Sequence, residues 1–189
     1  ATVIVKATFQ LRSGGAPQPA VQQWPLTGDL HEEGDPTKSV RYPSDFAWYK
    51  PSADMLLVGT CHLPGGKPNI ACRTTFQVGV WYKRLAIIGN RVRTNKWLLF
   101  YSVSEPLPFV RMPLRYEHSY GGAGYRKNPC GRGASDELSP EGVRYRLLPN
   151  IVDFENLHIN PDSRPDPAGF GPIPTSWPQR MHKVGTYGS

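Results

Sequence analysis

The chain has 189 residues, of which 39% are hydrophobic and 20% are charged, and its formal net charge is +7. This composition excludes disorder throughout the chain, and no apolar run approaches the roughly 18 residues that a transmembrane helix requires. Because 20 residues are proline and 19 are glycine, the sequence favours strands joined by turns and long irregular loops.

Alternating apolar and polar residues predict a series of strands along much of the chain. The predicted strands cover residues 2–12, 40–42, 54–63, 71–80, 82–88, 92–103, 109–120 and 145–148. The clearest hairpin signal is the tight turn near Gly79, between residues 71–80 and 82–88. Residues 16–35 are proline-rich and then acidic, which is typical of an exposed loop. The predicted fold is mainly β, as an antiparallel sandwich or a partly open barrel with long Pro/Gly-rich loops.

The C-terminal part of the sequence is proline-rich and lacks any periodic pattern. Residues 161–178 cannot form regular structure, because proline fixes φ and has no backbone N–H group. We interpret residues 1–160 as a single β-rich domain and residues 161–189 as an irregular extension that packs on it. The alternative is that this rigid, extended segment is a recognition arm for a partner.

The chain contains three cysteines, Cys61, Cys72 and Cys130. A disulfide framework is not expected, because the cysteines are few and their number is odd. The first residues alternate like a strand and lack the apolar core of a signal peptide. Both features predict a cytoplasmic protein. Cys61, His62 and Cys72 could meet as metal ligands, but their spacing matches no closed four-ligand pattern. Small buried thiols are the preferred interpretation, and no metal or cofactor is predicted.

Basic residues concentrate in the middle of the chain. Between Arg73 and Arg132 there are eleven Lys or Arg residues and only two acidic ones, Glu105 and Glu117. Such a region could attract an acidic protein, an anionic membrane or nucleic acid, or it could be a set of solvated strand faces. The spaced aromatic residues of a single-strand-binding groove are not clearly present, so nucleic acid is the less favoured partner. No membrane partner is predicted.

A glycine-rich loop crowded with arginines follows the last long strand, between Arg111 and Gly133. It lacks the Walker spacing and the strand-to-helix setting of a phosphate site. Planar guanidinium groups could instead clamp carboxylates on a partner protein. The predicted partner-binding residues are Arg111, Arg115, Tyr116, Tyr120, Arg126, Lys127 and Arg132. The alternative is an internal network in which the arginines fix loop carbonyls and acidic side chains.

Glu117 and His118 border this loop, and a carboxyl group beside an imidazole can perform acid–base chemistry. Neighbours on one strand point to opposite faces, however, and no Ser or Cys lies in a nucleophile-elbow setting. Pairing of Glu117 with a nearby arginine is therefore the preferred interpretation, and no catalytic residue is predicted.

Several strings occur in order along nearly the whole chain and are too unusual to arise together by chance. They are RYPSD at 41–45, YKPSADMLLVG at 49–59, PGGKP at 64–68, EP at 105–106, RMPLRYE at 111–117, NPCGRG at 128–133, LPNI at 148–151 and PDPAGFGPI at 165–173. On these strings the chain resembles the bacterial domain-of-unknown-function family 2169.

The resemblance implies a non-enzymatic role in type VI secretion. Members of this family look like cytosolic adaptor-chaperones that bind one toxic effector and help to load it onto the spike proteins. We therefore expect an adaptor or chaperone whose partners are an effector and, in the loading step, spike proteins. The alternatives are a basic module that binds carbohydrate or nucleic acid, and an enzyme that uses Glu117 and His118.

Overall fold

The fold is described by a computed structural model that covers residues 3–46, 53–97, 100–157 and 163–181. Its strands are β1 (Phe9–Gln10), β2 (Gln18–Pro19), β3 (Leu30–His31), β4 (Val40–Tyr42), β5 (Thr60–His62), β6 (Ala71–Val78), β7 (Trp81–Ile88), β8 (Val92–Trp97), β9 (Phe100–Val103), β10 (Arg111–Pro113), β11 (Tyr120–Gly121), β12 (Arg132–Gly133), β13 (Glu137–Leu138), β14 (Arg144–Leu147) and β15 (Ile151–Asp153). The prediction of a mainly β fold is confirmed for these residues.

The helices of the described residues are all short. Four are single 3-10 turns, at Glu32–Gly34, Pro64–Gly66, Tyr116–His118 and Phe154–Asn156, and the α-helix α1 covers Pro178–Met181. None of these helices has the length and the apolar character that a membrane crossing requires.

The strands form several small sheets, which are antiparallel except for the β11-β12 pair among the described residues. The larger sheets have the orders β13-β14-β8-β9 and β15-β7-β6, and the remaining pairs are β1-β2, β3-β4, β5-β10 and β11-β12. No sheet in the described part of the chain closes into a barrel. The sandwich arrangement stays a prediction.

The predicted hairpin is confirmed, since β6 and β7 pair along their whole length, from Ala71 opposite Ile88 to Val78 opposite Trp81. Four other strand predictions are wrong in extent. In the described part of residues 2–12 only Phe9–Gln10 is a strand, and residues 109–120 contain the strand Arg111–Pro113, a 3-10 turn and the first residue of β11. The described part of residues 92–103 forms two antiparallel strands, Val92–Trp97 and Phe100–Val103. Within residues 54–63 only Thr60–His62 is a strand, because only this part finds a partner strand, β10.

The apolar core lies where the sheet β15-β7-β6 meets the β5-β10 pair. Its buried members are Leu85, Ile87, Met112, Leu114, Ile151, Ala168 and Phe170. Burial of each large aliphatic or aromatic side chain stabilises the fold by roughly 1.5–3 kcal/mol. Two core residues, Ala168 and Phe170, come from the proline-rich segment, so this segment completes the core.

Hydrogen bonds to backbone oxygens hold the proline-rich segment against the rest of the domain. Leu57 N donates to Phe170 O at 2.9 Å, and Lys83 Nζ donates to Gly169 O at 2.7 Å. Further along, the Trp177 ring packs edge-on against Tyr116 with a centroid distance of 5.3 Å. The described residues 163–181 therefore lie on the domain. The division at residue 160 stays a prediction, because residues 158–162 lie outside the described residues.

Candidate functional site

The arginine-rich loop is built around the buried side chain of Asn128. Its Nδ2 donates to Tyr116 O at 2.8 Å and to Tyr120 O at 3.0 Å, and its Oδ1 accepts from Cys130 Sγ at 3.2 Å. The backbone oxygen of Asn128 accepts from Gly122 N at 2.9 Å. A buried amide must find partners within the protein. These bonds therefore join the two arms of the loop, which are residues 116–122 and residues 128–133.

Two glycines allow the arms of the loop to approach each other this closely. A Cβ atom at Gly121 would lie 2.1 Å from Asn128 O, and one at Gly131 would lie 2.7 Å from Ser119 O. Both distances are far below van der Waals contact with backbone atoms. Any side chain at these positions would therefore force the arms apart.

A second buried amide, Asn150, connects the loop to the central sheet. Its Nδ2 donates to Ile88 O at 2.9 Å, and its Oδ1 accepts from Arg132 Nη1 at 2.9 Å. His118 Nδ1 lies 3.1 Å from the same Oδ1, so this nitrogen carries a hydrogen in the contact. Arg132 Nε also donates to Glu117 O at 2.9 Å. The Arg132 side chain is therefore a structural link within the fold.

The side chain of Glu117 binds a serine from the N-terminal part of the chain. Its Oε1 accepts from Ser39 N at 2.8 Å and its Oε2 accepts from Ser39 Oγ at 2.5 Å. Ser39 Oγ in turn accepts from Tyr116 N at 3.0 Å. Arg132 reaches the backbone oxygen of Glu117, not its carboxyl group, so the predicted Glu117–arginine pair is wrong for the described residues. We refer to Ser39, Glu117, His118, Asn128, Arg132 and Asn150 as the loop-anchoring cluster.

Burial shifts pKa values around the loop-anchoring cluster toward the uncharged forms. Burial, and then the charge of Arg132, lower the pKa of His118. Burial raises the pKa of Tyr116 to about 12, and burial followed by the charge of Glu117 raises the pKa of Cys130 to about 11. These three groups are uncharged near pH 7, which allows them to stay buried without ionic partners.

Four of the seven predicted partner-binding residues are engaged within the fold. Tyr116 and Tyr120 are buried, with 5% and 8% of their surface exposed, and Arg132 belongs to the loop-anchoring cluster. Arg115 Nη2 lies 3.1 Å from Glu32 Oε2, and the Glu32 side chain is only 9% exposed. For these residues the internal-network alternative describes what the structure contains.

The other three predicted residues have exposed side chains. Lys127 forms an ion pair with Asp166 of the proline-rich segment. Arg111 lies on β10, and Arg126 lies at the outer end of the loop. Within the described residues, neither arginine forms an ion pair. Whether any of the seven contacts a partner stays a prediction.

A surface groove of about 610 Å³ adjoins Arg126. It is lined by Pro36, Thr37, Lys38, Gly124, Tyr125, Arg126, Pro129, Ser176, Trp177 and Pro178. The lining contains two basic residues and no acidic one, and several of its residues are proline or aromatic. We refer to this feature as the Arg126 groove.

Acidic residues from the flanking segments neutralise part of the basic middle of the chain. Glu32 pairs with Arg115, Asp166 with Lys127, and Glu155 with Arg84. The predicted exposed acidic loop thus contains one buried acidic side chain, Glu32. Basic charge that is paired within the chain is less able to attract nucleic acid.

Asn128 was noted only as part of the NPCGRG string, and Glu32, Ser39 and Asn150 were not predicted as site residues from the sequence. Their partners lie far away along the chain, so no periodic pattern marks them. Asn150 occurs within the LPNI string, which is the one sequence signal that points to it.

In the described part of the chain, no group of three or more His, Cys, Asp or Glu side chains is arranged to hold a metal ion. Cys61 and Cys72 are partly buried against the core. His62, their predicted companion, is exposed.

Comparison with known proteins gives one match. The model of a protein family described as "Uncharacterized protein conserved in bacteria (DUF2169)" matches residues 1–189. The match includes all the strings on which the resemblance was based, among them NPCGRG and LPNI of the loop-anchoring cluster. No curated protein and no solved structure matches the chain.

Proposed function

This chain belongs to the bacterial family DUF2169, and we propose that it is a non-enzymatic adaptor or chaperone for a secreted protein. In this proposal it binds a type VI secretion effector in the cytoplasm and helps to load that effector onto the spike complex. The resemblance described above suggests the secretion pathway. The Arg126 groove is the observation that carries the binding role.

The Arg126 groove suits an extended segment of another protein. Tyr125, Pro129 and Pro178 offer apolar surface and Arg126 offers positive charge, whereas Lys38 is paired with Glu33. The loop that forms one wall is fixed by the buried Asn128, so little conformational entropy is lost when a partner binds. A partner segment that combines acidic and apolar side chains matches this lining.

The enzyme alternative is less well supported by the same geometry. Glu117 is bonded to Ser39 through both carboxyl oxygens, while His118 faces Asn150. The two side chains thus serve different structural contacts instead of converging on one substrate position. The other alternative is a basic module that binds carbohydrate or nucleic acid. Such a module would bind its ligand through basic residues whose charge is not paired within the chain.

The proposal is tested by affinity capture from the native bacterial host, with the tagged chain as bait and mass spectrometry to identify the bound proteins. The expected result is one toxin-like protein, with or without a spike subunit. The captured protein is then purified, and its affinity is measured by titration calorimetry.

Reversing the charge of one arginine tests whether binding depends on the Arg126 groove or on the net positive charge of the chain. We expect Arg126→Glu to weaken binding of the purified client at least about tenfold, because truncating or reversing a central interface charge costs about 1.4 kcal/mol or more. Arg12→Glu is the matched control, since Arg12 is exposed outside the groove. Equal affinities for the two variants would remove the groove from the proposal. A bait that captures only nucleic acid would contradict the adaptor function itself.

A further inference from the structure

Two cysteines from different sheets lie side by side at the edge of the core. Cys61 is on β5 and Cys72 is on β6, and their Sγ atoms are 3.4 Å apart. At this distance one thiol donates a hydrogen bond to the other. Both residues are only partly buried, so part of each residue is exposed to solvent.

The third cysteine occupies a different environment. Cys130 Sγ donates to Asn128 Oδ1 at 3.2 Å and lies 3.8 Å from Ser39 Oγ. Its neighbours are thus an amide and a hydroxyl group of the loop-anchoring cluster. The chain therefore contains one close thiol pair and, as an internal reference, one thiol without a thiol neighbour.

We propose that Cys61 and Cys72 are a redox modification site, a dithiol that closes to a disulfide when it meets a small-molecule disulfide. A disulfide sulfur–sulfur bond is about 2.05 Å long, so the two sulfur atoms need to approach each other by little more than one ångström. This inference does not depend on the adaptor function, because it is based only on the thiol geometry.

The reaction is a thiol–disulfide exchange in two steps. The thiolate of one cysteine of the pair attacks one sulfur of oxidised glutathione, forms a mixed disulfide and expels one glutathione thiolate. The other cysteine loses its proton to solvent and attacks the sulfur of the first cysteine, which expels the second glutathione thiolate. The two protein thiols are oxidised, and one glutathione disulfide is reduced to two glutathione thiols.

The environment of Cys72 opposes ionisation of its thiol. Burial, followed by the hydrogen bond and the charge of Cys61, raises the pKa of Cys72 to about 12. Cys72 is therefore a thiol near pH 7, and the exchange proceeds through the fraction of thiolate that forms at the pair. Such a pair persists as a dithiol in a reducing compartment and responds when the ratio of disulfide to thiol rises.

The disulfide has a specific structural result, because it joins the β5-β10 pair to the sheet β15-β7-β6. β5 pairs with β10, whereas β6 pairs with β7, and no strand pairing connects β5 to β6 among the described residues. A covalent link between them restricts the unfolded chain and raises the melting temperature.

The test incubates the reduced chain with oxidised glutathione and follows its intact mass after an acid quench. The expected product has lost two hydrogen atoms, and its peptic peptides show a Cys61–Cys72 link with Cys130 still free to be alkylated. The oxidised chain is expected to melt at a higher temperature than the reduced chain.

Two variants make the result specific. Cys130→Ser should form the same link as the parent chain, while Cys72→Ser should stop with one glutathione attached to Cys61. The proposal is overturned if the parent chain accumulates the glutathione adduct without the link, or if the link contains Cys130. It is equally overturned if the folded chain stays reduced under conditions that oxidise the urea-unfolded chain.

Discussion

Arg126 and Arg132 lie on the same loop, six positions apart, and have opposite environments. Arg132 points into the fold and binds Asn150 Oδ1 and Glu117 O. Arg126 points outward, beside the Arg126 groove, and is exposed. The difference shows that a concentration of arginines in a sequence does not by itself mark a binding surface. What distinguishes the two is the side-chain environment. The Arg132 side chain donates to the buried amide of Asn150, whereas the Arg126 side chain is exposed.

The buried amides decide this orientation. Asn128 joins the arms of the loop, and Asn150, which is bonded to the sheet, accepts a hydrogen bond from Arg132 and holds that side chain inward. Arg126 precedes Asn128 along the chain, and its side chain is exposed. The three predictions below test this comparison, beginning with the anchor itself.

The largest effect is expected for Asn128→Ala. The substitution leaves Tyr116 O and Tyr120 O buried without their donor, and each unsatisfied group costs roughly 1–3 kcal/mol. We expect the free energy of unfolding to fall by about 3 kcal/mol, measured by urea denaturation. Asn156→Ala is the control, because Asn156 is exposed; it should change stability by less than about 0.5 kcal/mol. Similar losses for the two variants would show that Asn128 does not anchor the loop.

A smaller effect is expected for Arg132→Met, compared directly with Arg126→Met. Methionine retains apolar volume and removes only the hydrogen bonds and the charge. Loss of the Arg132 bonds to Asn150 and Glu117 should lower the free energy of unfolding by about 2 kcal/mol, because hydrogen bonds to charged groups contribute roughly 1.5–3 kcal/mol. Arg126→Met should lie within about 0.5 kcal/mol of the parent. Equal denaturation midpoints would contradict the inward and outward assignments.

The smallest effect is expected from the protonation of His118. Because burial and Arg132 lower the pKa of His118 below its ordinary value of 6.5, the unfolded chain binds a proton at a higher pH than the folded chain. Stability attributable to this group is therefore complete above about pH 6.5 and falls as the pH decreases below it.

His118→Gln removes this titration and retains an N–H donor toward Asn150. We expect the variant to lose less free energy of unfolding than the parent between about pH 7 and pH 5.5. At about pH 8 the slopes of stability against pH should agree. Parallel curves over the whole range would show that His118 does not contribute to the acid sensitivity of the fold.

Local patterns in the sequence predict the hairpin but not the loop-anchoring cluster. The β6-β7 pairing follows from alternation within adjacent residues, with Cys72, Thr74 and Phe76 toward the core side. Ser39 and Glu117, by contrast, are 78 positions apart, and Asn150 and Ile88 are 62 apart. No periodicity connects residues at such separations, so only the folded chain shows that they meet.

The proline-rich segment shows a different limit of prediction from sequence patterns. Its prolines correctly indicate an irregular backbone, yet Ala168 and Phe170 are core residues. Periodicity assigns core positions only within helices and strands, so an extended segment without either gives no sign of what it buries. Of the candidate site, the sequence indicated the loop and its outward arginines. It did not indicate the groove, whose walls come from residues 36–38, 124–129 and 176–178.

The position of Phe170 in the core has a consequence for the order of folding during synthesis. Leu57 N bonds Phe170 O, and Phe76 packs edge-on against the Phe170 ring. The strands around Phe76 leave the ribosome long before residue 170 does. Until residue 170 emerges, the core against which they pack is incomplete. Contacts of such large sequence separation also make folding slow. The newly made chain therefore exposes apolar strand surface until residues 168–170 have left the ribosome.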